Sequence, residues 1–272
     1  MTPLNPSVPR HEYAAQNRLE ATQAMPAAVC LDVFGVSGKQ VAAAIGRMSI
    51  DRTLVRRQPG VTFAKMLGTG SGKTFTSRDA DMGHWAILTC WTHPGGPASL
   101  HNSATFRGWS AIADEHARFV MLPLASRGTW SARQPFGDPF AHRWDGPIAA
   151  ITRARIKTMQ WRNFWASVPS VSADLHRVDG LTFAMGIGEA PVGLQGTFST
   201  WTDGSSLSNF AHRRDAHQDV MRMTHEIDWY AEELFARFAL VEAAGSYNGA
   251  AVALTSTSQV NQSAEQVKVS GK

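Results

Sequence analysis

The chain has 272 residues, of which 43% are hydrophobic and 18% are charged, a composition that supports two small cores or one large shared core. The net charge of +4 comes from scattered Lys and Arg, which argues against a nucleic-acid-binding stripe. No apolar run reaches the roughly 20 residues that span a bilayer, and no signal-peptide core precedes Pro26. With Cys30 and Cys90 as the only cysteines, we expect a cytoplasmic protein.

The two ends of the chain differ from its middle because they are polar and lack hydrophobic periodicity. A stretch near the middle combines prolines and glycine with Phe136, Phe140 and Trp144, which predicts an irregular connector whose aromatic rings pack against a core. The predicted divisions are a disordered segment 1–26, a first unit 27–130, a connector 131–145, a second unit 146–245 and a disordered tail 246–272.

Hydrophobic spacing predicts the same element order, β-α-β-β-α-β, in both units. In the first unit the predicted strands are 28–34, 61–67, 84–91 and 117–124, with helical stretches at 38–56 and 99–115. In the second unit the predicted strands are 147–156, 181–187, 195–201 and 235–241, with helical stretches at 160–177 and 205–233.

Short strings recur between the two units in the same order. The string Gly60-Val61-Thr62-Phe63-Ala64 returns as residues 180–184, and Trp91-Thr92 returns as residues 201–202. We therefore predict an α+β fold made of duplicated ferredoxin-like units.

The nearly continuous apolar strands indicate burial on both sheet faces, so the two sheets are expected to close into an intrachain dimeric α/β barrel. A ligand would lie inside the sheet pair or between one sheet and its helices. Because the duplication supplies an internal interface, we expect a monomer.

The glycine-rich segment 67–74 resembles a phosphate-binding loop but has Leu67 where that motif requires glycine, and no helical pattern follows it. We interpret it as a loop between strands. The sequence also contains no Gly-x-Ser-x-Gly, His-Glu-x-x-His or Cys-x-x-Cys motif, so hydrolase and zinc chemistry are unsupported.

Longer strings resemble a known family. They include Gly186-Ile187-Gly188-Glu189-Ala190-Pro191 and residues 63–72, 85–88, 124–131, 146–154, 164–169 and 229–238. These strings are similar to those of the spheroidene monooxygenases of bacterial carotenoid biosynthesis, over residues 27–245.

The resemblance implies a monooxygenase that contains heme b, uses O2 and electrons from a reduced ferredoxin, and oxidises a small apolar substrate such as a linear carotenoid to a keto product. One fold hosts many chemistries, so two alternatives remain. One is a heme enzyme of this fold with other chemistry, such as aldoxime dehydration. The other is a cofactorless binding protein. A membrane-dissolved substrate would add peripheral membrane contact.

A heme needs an axial ligand, usually histidine. On the helical stretch after Ser205, a 100° step places Met221 on the same apolar stripe as His217. The resemblance also aligns a histidine at position 217. His217 is therefore the predicted iron ligand, with His176 in reserve, although a histidine on an apolar face is commonly a hydrogen-bonded core residue.

Strands of the second sheet would face such a heme. The candidates on them are Arg153 and Gln195 as catalytic residues, Met185 and Ile187 as cofactor contacts, and Thr197. Arg127, Arg153 and Arg155 are candidates for pairing with heme propionates, because guanidinium binds carboxylate in bidentate fashion. A mostly apolar wall would exclude water from the reaction.

Overall fold

The computed structural model describes residues 25–70, 79–139, 143–156, 179–189, 196–212 and 230–254. The predicted helix at 160–177, the second part of the predicted helix 205–233 and Phe140 lie outside the described residues. Within the described residues, no helix is long and apolar enough to cross a membrane.

The first unit contains the six predicted elements, with the second helical stretch divided in two. Its elements are β1 (Ala28–Gly35), a 3-10 turn (Gly38–Gln40), α1 (Val41–Arg56), β2 (Val61–Gly70), β3 (Ala80–Trp91), α2 (Gly96–His101), α3 (Ala104–Ser110) and β4 (Glu115–Gly128). Helix α3 begins at Ser103, whose side chain accepts a hydrogen bond from the Phe106 amide and so caps the helix.

The second unit repeats the strands of the first. Its described elements are β5 (Ile148–Ile156), β6 (Leu181–Gly188), β7 (Gly196–Trp201), α4 (Gly204–His212), β8 (Tyr230–Tyr247) and β9 (Ala250–Ala251). Residues 230–233 belong to β8, so the prediction that the helix 205–233 includes them is wrong. Strand β8 also runs through residue 245, the predicted end of this unit, because its last residues pair with β4 and β9.

The described strands join in one sheet of order β4-β1-β3-β2-β6-β7-β5-β8-β9, and a further pairing of β4 with β8 closes the first eight of them into a barrel. The halves meet along two seams, β2 with β6 and β4 with β8. The duplicated ferredoxin-like fold and the intrachain dimeric α/β barrel are thus confirmed.

The strand registers show the duplication residue by residue. Ala28 pairs with Trp91 in the first unit, and Ile148 pairs with Trp201 in the second. The β2–β3 register shifts between Val61 and Phe63, and the β6–β7 register shifts between Leu181 and Phe183. Strands β1, β2 and β3 therefore correspond to β5, β6 and β7.

Inward-facing side chains from both units fill the barrel. Phe119 of β4 contacts the rings of Phe183 and Phe198 from the second unit at centroid distances of 5.0 Å each. In the connector, Phe136 is fully buried and packs edge-on against Phe238 at 4.8 Å, and Trp144 is partly buried, as expected. Cys30 and Cys90 are buried free thiols.

Two glutamates fasten the β4–β8 seam, one at each end. Glu115 at the start of β4 accepts hydrogen bonds from the amides of Asn248 and Gly249 after β8. Glu232 near the start of β8 accepts a bond from the Ala132 amide after β4. Each unit thus holds the turn that follows the other unit's last strand.

Backbone geometry at this seam explains two of its glycines. Gly128 and Gly245 have φ values of +92° and +98°, a region that favours glycine. A Cβ atom would collide with the carbonyl oxygen of Glu233 at position 128 and with that of His116 at position 245. The close approach of the two strands therefore depends on both glycines.

His84 lies beside Glu115, one of the two glutamates at the ends of the β4–β8 seam. It makes the free energy of unfolding depend on pH. Its ring nitrogens lie 2.6 Å from Asp81 Oδ2 and 2.8 Å from Glu115 Oε1. Burial opposes the charged imidazolium, but the two carboxylates outweigh it and raise the pKa of His84. The stabilisation is complete below the ordinary histidine pKa of about 6.5 and is lost as the pH rises through the raised value.

We therefore expect the free energy of unfolding to decrease as the pH rises above about 6.5, the ordinary histidine pKa, and His84→Gln to flatten this slope. Urea denaturation across that range measures the free energy of unfolding. His93→Gln, a substitution of an exposed histidine, is the control and should leave the slope unchanged. An unchanged slope in His84→Gln would contradict the assignment.

Candidate functional site

The outer faces of the two half-sheets occupy equivalent places in the repeat but differ in side-chain volume. In the first unit, Phe34, Met66, Trp85 and Ile87 form a buried apolar cluster with residues of α1 and α3. Met66 pairs across strands with Ile87, and Phe34 pairs with Trp85. Large side chains therefore fill the space between this half-sheet and its helices.

The same positions in the second unit carry small side chains. The cross-strand pair Met66–Ile87 becomes Gly186–Thr197. Phe34 corresponds to Ala154 by position in the repeat, and Trp85 corresponds to Gln195, which lies outside the described residues. The second outer face is defined here by its outward-facing residues Ala150, Thr152, Ala154, Ala184, Gly186, Thr197 and Ser199.

The direction of these side chains follows from strand alternation. Ile151, Met185, Ile187 and Phe198 belong to the barrel core, so their neighbours along each strand point outward. A surface of small residues lets another group approach the strand backbone closely, and glycine inside a strand commonly marks close approach of a ligand. The second outer face is thus the candidate site.

One end of the second outer face is closed by aromatic packing. Trp201 is buried, contacts Phe210 of α4 at a centroid distance of 5.4 Å, and donates its indole N–H to Ser199 Oγ at 3.0 Å. Leu207 and Ile148 pack in the same cluster. Helix α4 begins where Asp203 accepts a hydrogen bond from the Ser206 amide at 2.8 Å, which fixes the helix against the strand end.

A buried network of charges lies inside the barrel at the other end of strands β5 and β6. Arg153 donates to Glu232 Oε2 at 2.7 Å and to Glu189 Oε1 at 3.0 Å. Lys65 donates to the other oxygen of Glu189, and the Trp130 indole N–H donates to Glu189 at 2.6 Å. We call these five residues the inner charge network. It joins β2, β5, β6 and β8 of both units with the segment after β4.

The network holds its members in defined charge states. Burial lowers the pKa of Lys65, and its contacts with Glu189 only partly offset this. Burial also opposes ionisation of Glu189, yet Lys65, the Trp130 N–H and Arg153 together lower the pKa of this carboxyl. Glu189 is therefore an anion that balances two buried cations just before residues 190–195.

Several predicted site residues lie away from the second outer face. Met185 and Ile187 point into the barrel core and are almost fully buried. Arg153 lies on the inner face in the charge network. Arg127 is mostly exposed and donates to Glu233 at 3.2 Å. Of the strand candidates with described side chains, Thr197 faces outward.

The remaining predicted site residues, His217, Met221, His176 and Gln195, lie outside the described residues, as does the side chain of Arg155. Among the described residues, no group of three or more His, Cys, Asp or Glu side chains could hold a metal ion.

Sequence reasoning missed the inner charge network, although one signal was available. Lys65 interrupts the apolar strand between Phe63 and Leu67, and lysine is rarely buried unless it is paired. The partner, Glu189, is 124 residues away along the chain. No local pattern could identify it before the barrel was known.

We expect Glu189→Gln to lower the free energy of unfolding by about 3 kcal/mol, because it leaves two buried cations without their shared anion. The matched control is Glu233→Gln, which breaks the exposed pair with Arg127 and should cost less than about 1 kcal/mol. Chemical denaturation measures both. Equal decreases in the free energy of unfolding for the two variants would show that the network does not hold the barrel end together.

Comparison with known proteins gives matches to spheroidene monooxygenases and to solved structures. The chain is 34% identical over 211 residues to the spheroidene monooxygenase of Rhodobacter capsulatus, covering 75% of this chain and 86% of the relative. It is 31% identical over 208 residues to the one of Cereibacter sphaeroides, covering 75% of this chain and 64% of the relative.

A crystal structure of aldoxime dehydratase has a TM-score of 0.51 at 11% identity, with 78% of this chain and 80% of that chain covered, a likeness of fold alone. No family model matches the chain.

Proposed function

The chain belongs to the spheroidene monooxygenase family, and from this premise we propose that it is a heme-dependent monooxygenase that oxidises an apolar substrate, such as a linear carotenoid, to a keto product. The observation that carries the proposal is the second outer face. There, Gly186, Thr197 and Ala154 replace the Met, Ile and Phe that fill the equivalent space in the first unit.

A planar heme fits this surface chemically. Strand positions without large side chains allow a flat macrocycle to approach the backbone, while Thr197 and Ser199 are the polar side chains at the centre of the face. The sequence after α4 contains His217, which we propose as the axial ligand, with Met221 on the same stripe and His176 in reserve. The heme would then lie between β5, β6 and β7 and the segment that carries His217.

When bound, heme supplies activation of O2 with electrons from a reduced ferredoxin. Two successive hydroxylations of one carbon, each consuming one O2 and two electrons, would give a gem-diol that loses water to form the ketone. The uncharged second outer face would keep water from the reacting carbon. We propose Gln195, two residues before Thr197 in the sequence, as the polar group nearest the substrate.

Arg153 has a different proposed role from the one expected. Because its guanidinium is engaged by Glu189 and Glu232 on the inner face, Arg153 would position the end of β6 and the start of the segment 190–195. Met185 and Ile187 would support the heme-bearing sheet from inside the barrel rather than touch the heme. Arg127 remains exposed enough to reach a propionate if its contact with Glu233 opens.

A second candidate function has a specific observation in its favour. The fold is like that of aldoxime dehydratase, so a heme enzyme of this fold with other chemistry is the alternative. Dependence of turnover on O2 and reductant separates the two.

We also propose a cytoplasmic monomer that contacts the membrane peripherally to reach its substrate.

The proposed axial ligand is tested by absorption spectra of protein from hemin-fed cells, oxidised and dithionite-reduced. We expect a Soret band in the wild type and its loss or shift in His217→Ala, because the imidazole is the iron ligand. His176→Ala is the control and should keep the band. An unchanged band in His217→Ala would exclude this ligand, and no band in the wild type would exclude the heme monooxygenase.

The proposed location is tested by filling the second outer face. Ala154→Phe restores the side chain that the first unit has at this position, and overpacking of about 1–3 kcal/mol should weaken heme binding by about 5- to 150-fold. Titration of apoprotein with hemin measures this. Ala43→Phe on the exposed side of α1 is the matched control. Equal heme affinity in the two variants would place heme elsewhere.

A further inference from the structure

Helix α1 carries apolar side chains on its outer side as well as on its inner side. The inner side packs under the first half-sheet through Ala44 and Val55, which are buried. Ile45, Ile50 and Leu54 lie away from that contact and are 41%, 67% and 41% exposed. They are three of the five large hydrophobic side chains that the described part of the chain exposes. A helix that is apolar all round is normally buried, so the outer side of α1 is expected to have a partner.

The centre of this outer side has no charged side chain. A turn of about 100° per residue places six exposed residues opposite the buried side, namely Ala42, Ala43, Gly46, Ser49, Ile50 and Thr53. Ile45 lies at one edge of this strip and Leu54 at the other. We call these eight residues the α1 surface. A helix face that meets only water carries charged residues at its centre, and this face does not.

The exposed charges around the α1 surface are all basic. They belong to Lys39, Arg52, Arg56 and Arg57, and within the described ranges none of the four forms a salt bridge. Residues 38–57 contain five basic side chains and one acidic side chain, so their net charge of +4 equals that of the whole chain. The rest of the sequence is therefore balanced, and the positive charge is concentrated at this helix.

Helix α1 offers no accessible carboxylate to a partner. Its acidic residue, Asp51, is 1% exposed and lies 3.2 Å from a guanidinium nitrogen of Arg47. Two copies of the chain joined through α1 would place their arginines together without an acidic side chain between them, which is unfavourable. An anionic partner is complementary to this surface.

The chemistry of the strip selects a lipid surface among anionic partners. Apart from the hydroxyls of Ser49 and Thr53, its side chains cannot make hydrogen bonds, so it has few groups that would recognise an acidic protein. Helices that lie in a membrane interface combine apolar side chains with basic ones in this way. Groups of about four to eight Lys and Arg on such a helix bind anionic headgroups.

We propose that the α1 surface docks on a membrane that contains anionic lipid, with Ile50 entering the boundary between headgroups and acyl chains and the four basic side chains binding lipid phosphates. The inference identifies the surface for the proposed peripheral membrane contact and rests on that part of the proposed function, but it needs no heme. Helix α1 covers the first half-sheet, whereas the second outer face belongs to the other half-sheet. Substitutions in α1 therefore leave the proposed heme position unchanged.

The test is co-sedimentation of the full chain with vesicles made of equal parts of phosphatidylglycerol and phosphatidylcholine, compared with phosphatidylcholine alone. We expect binding to the anionic vesicles to be stronger by more than about tenfold and to weaken as salt is added, because the basic side chains are exposed to solvent. Equal binding to both compositions, or no binding to either, would overturn the proposal.

The basic side chains are tested with the double variant Arg52→Gln, Arg57→Gln. We expect it to weaken binding to the anionic vesicles by about 25-fold, or about fivefold for each charge. The matched control is Arg143→Gln, Arg237→Gln, which removes the same charge from exposed arginines outside α1 and should change binding by less than about twofold. Equal weakening in the two double variants would mean that net charge alone, and not α1, determines binding.

The apolar contact is tested with Ile50→Ser, a substitution at an exposed position that leaves the core intact. We expect about tenfold weaker binding to the anionic vesicles, because the variant loses most of the apolar area that enters the lipid. Met25→Ser replaces another exposed side chain, 47% accessible, and should bind as the wild type does. A concentration-dependent dimer that Ile50→Ser abolishes, without vesicle binding, would assign the surface to a second copy and overturn the proposal.

The Soret band of each variant separates this inference from the heme proposal. We expect all four α1 and control variants to keep the band of the wild type while only the α1 variants lose vesicle binding. A normal Soret band without vesicle binding would overturn the membrane surface and leave the heme enzyme standing. Vesicle binding that depends on Arg52, Arg57 and Ile50 in a protein without a Soret band would support the surface and contradict only the heme proposal.

Discussion

The pairing of β4 with β8 is the contact on which the rest of the structure depends, because it closes an open eight-strand sheet into a barrel. An open sheet of this kind would present two unpaired edges, with their amide and carbonyl groups exposed. A glutamate secures the seam at each end. Glu115 and Glu232, at the starts of the two strands, bind amides of the turns that follow the partner strand. Closure then gives the aromatic side chains of both units a single shared interior.

Duplication in one chain allows the two halves to diverge, which two identical subunits cannot do. The first unit has kept a filled outer face, where Phe34, Met66 and Ile87 pack under α1 and α3. The second unit has small residues at these positions, Gly186 and Thr197 among them. Small residues at these positions bury less apolar surface than the large side chains of the first unit do. The first unit therefore supports the barrel, while the second is free to hold a ligand.

The fold was largely predictable because its signals are local and repeated. Strand and helix spacing, together with the returning strings at Gly60 and Gly180, sufficed to predict two ferredoxin-like units. The end of the last strand was less predictable. The polar residues after Ala244 give no strand pattern, yet β8 continues to Tyr247 because β4 pairs with it as far as Gly245 and β9 pairs with its last two residues. Tertiary pairing decided the structure there, against local propensity.

From the sequence, only the half-sheet that carries the candidate site could be predicted. The sheet face on which a side chain lies, and the residue with which it pairs, depend on the strand register. Met185 and Gly186 are neighbours in sequence, yet one belongs to the barrel core and the other to the second outer face. A one-residue difference in phase thus exchanges a residue of the barrel core for one on the second outer face. The inner charge network adds a further constraint, because Arg153 and Glu189 fix the ends of β5 and β6 from inside. A sheet held so firmly on its inner side can carry small residues on its outer side without losing its shape, and this is the condition that a flat ligand requires.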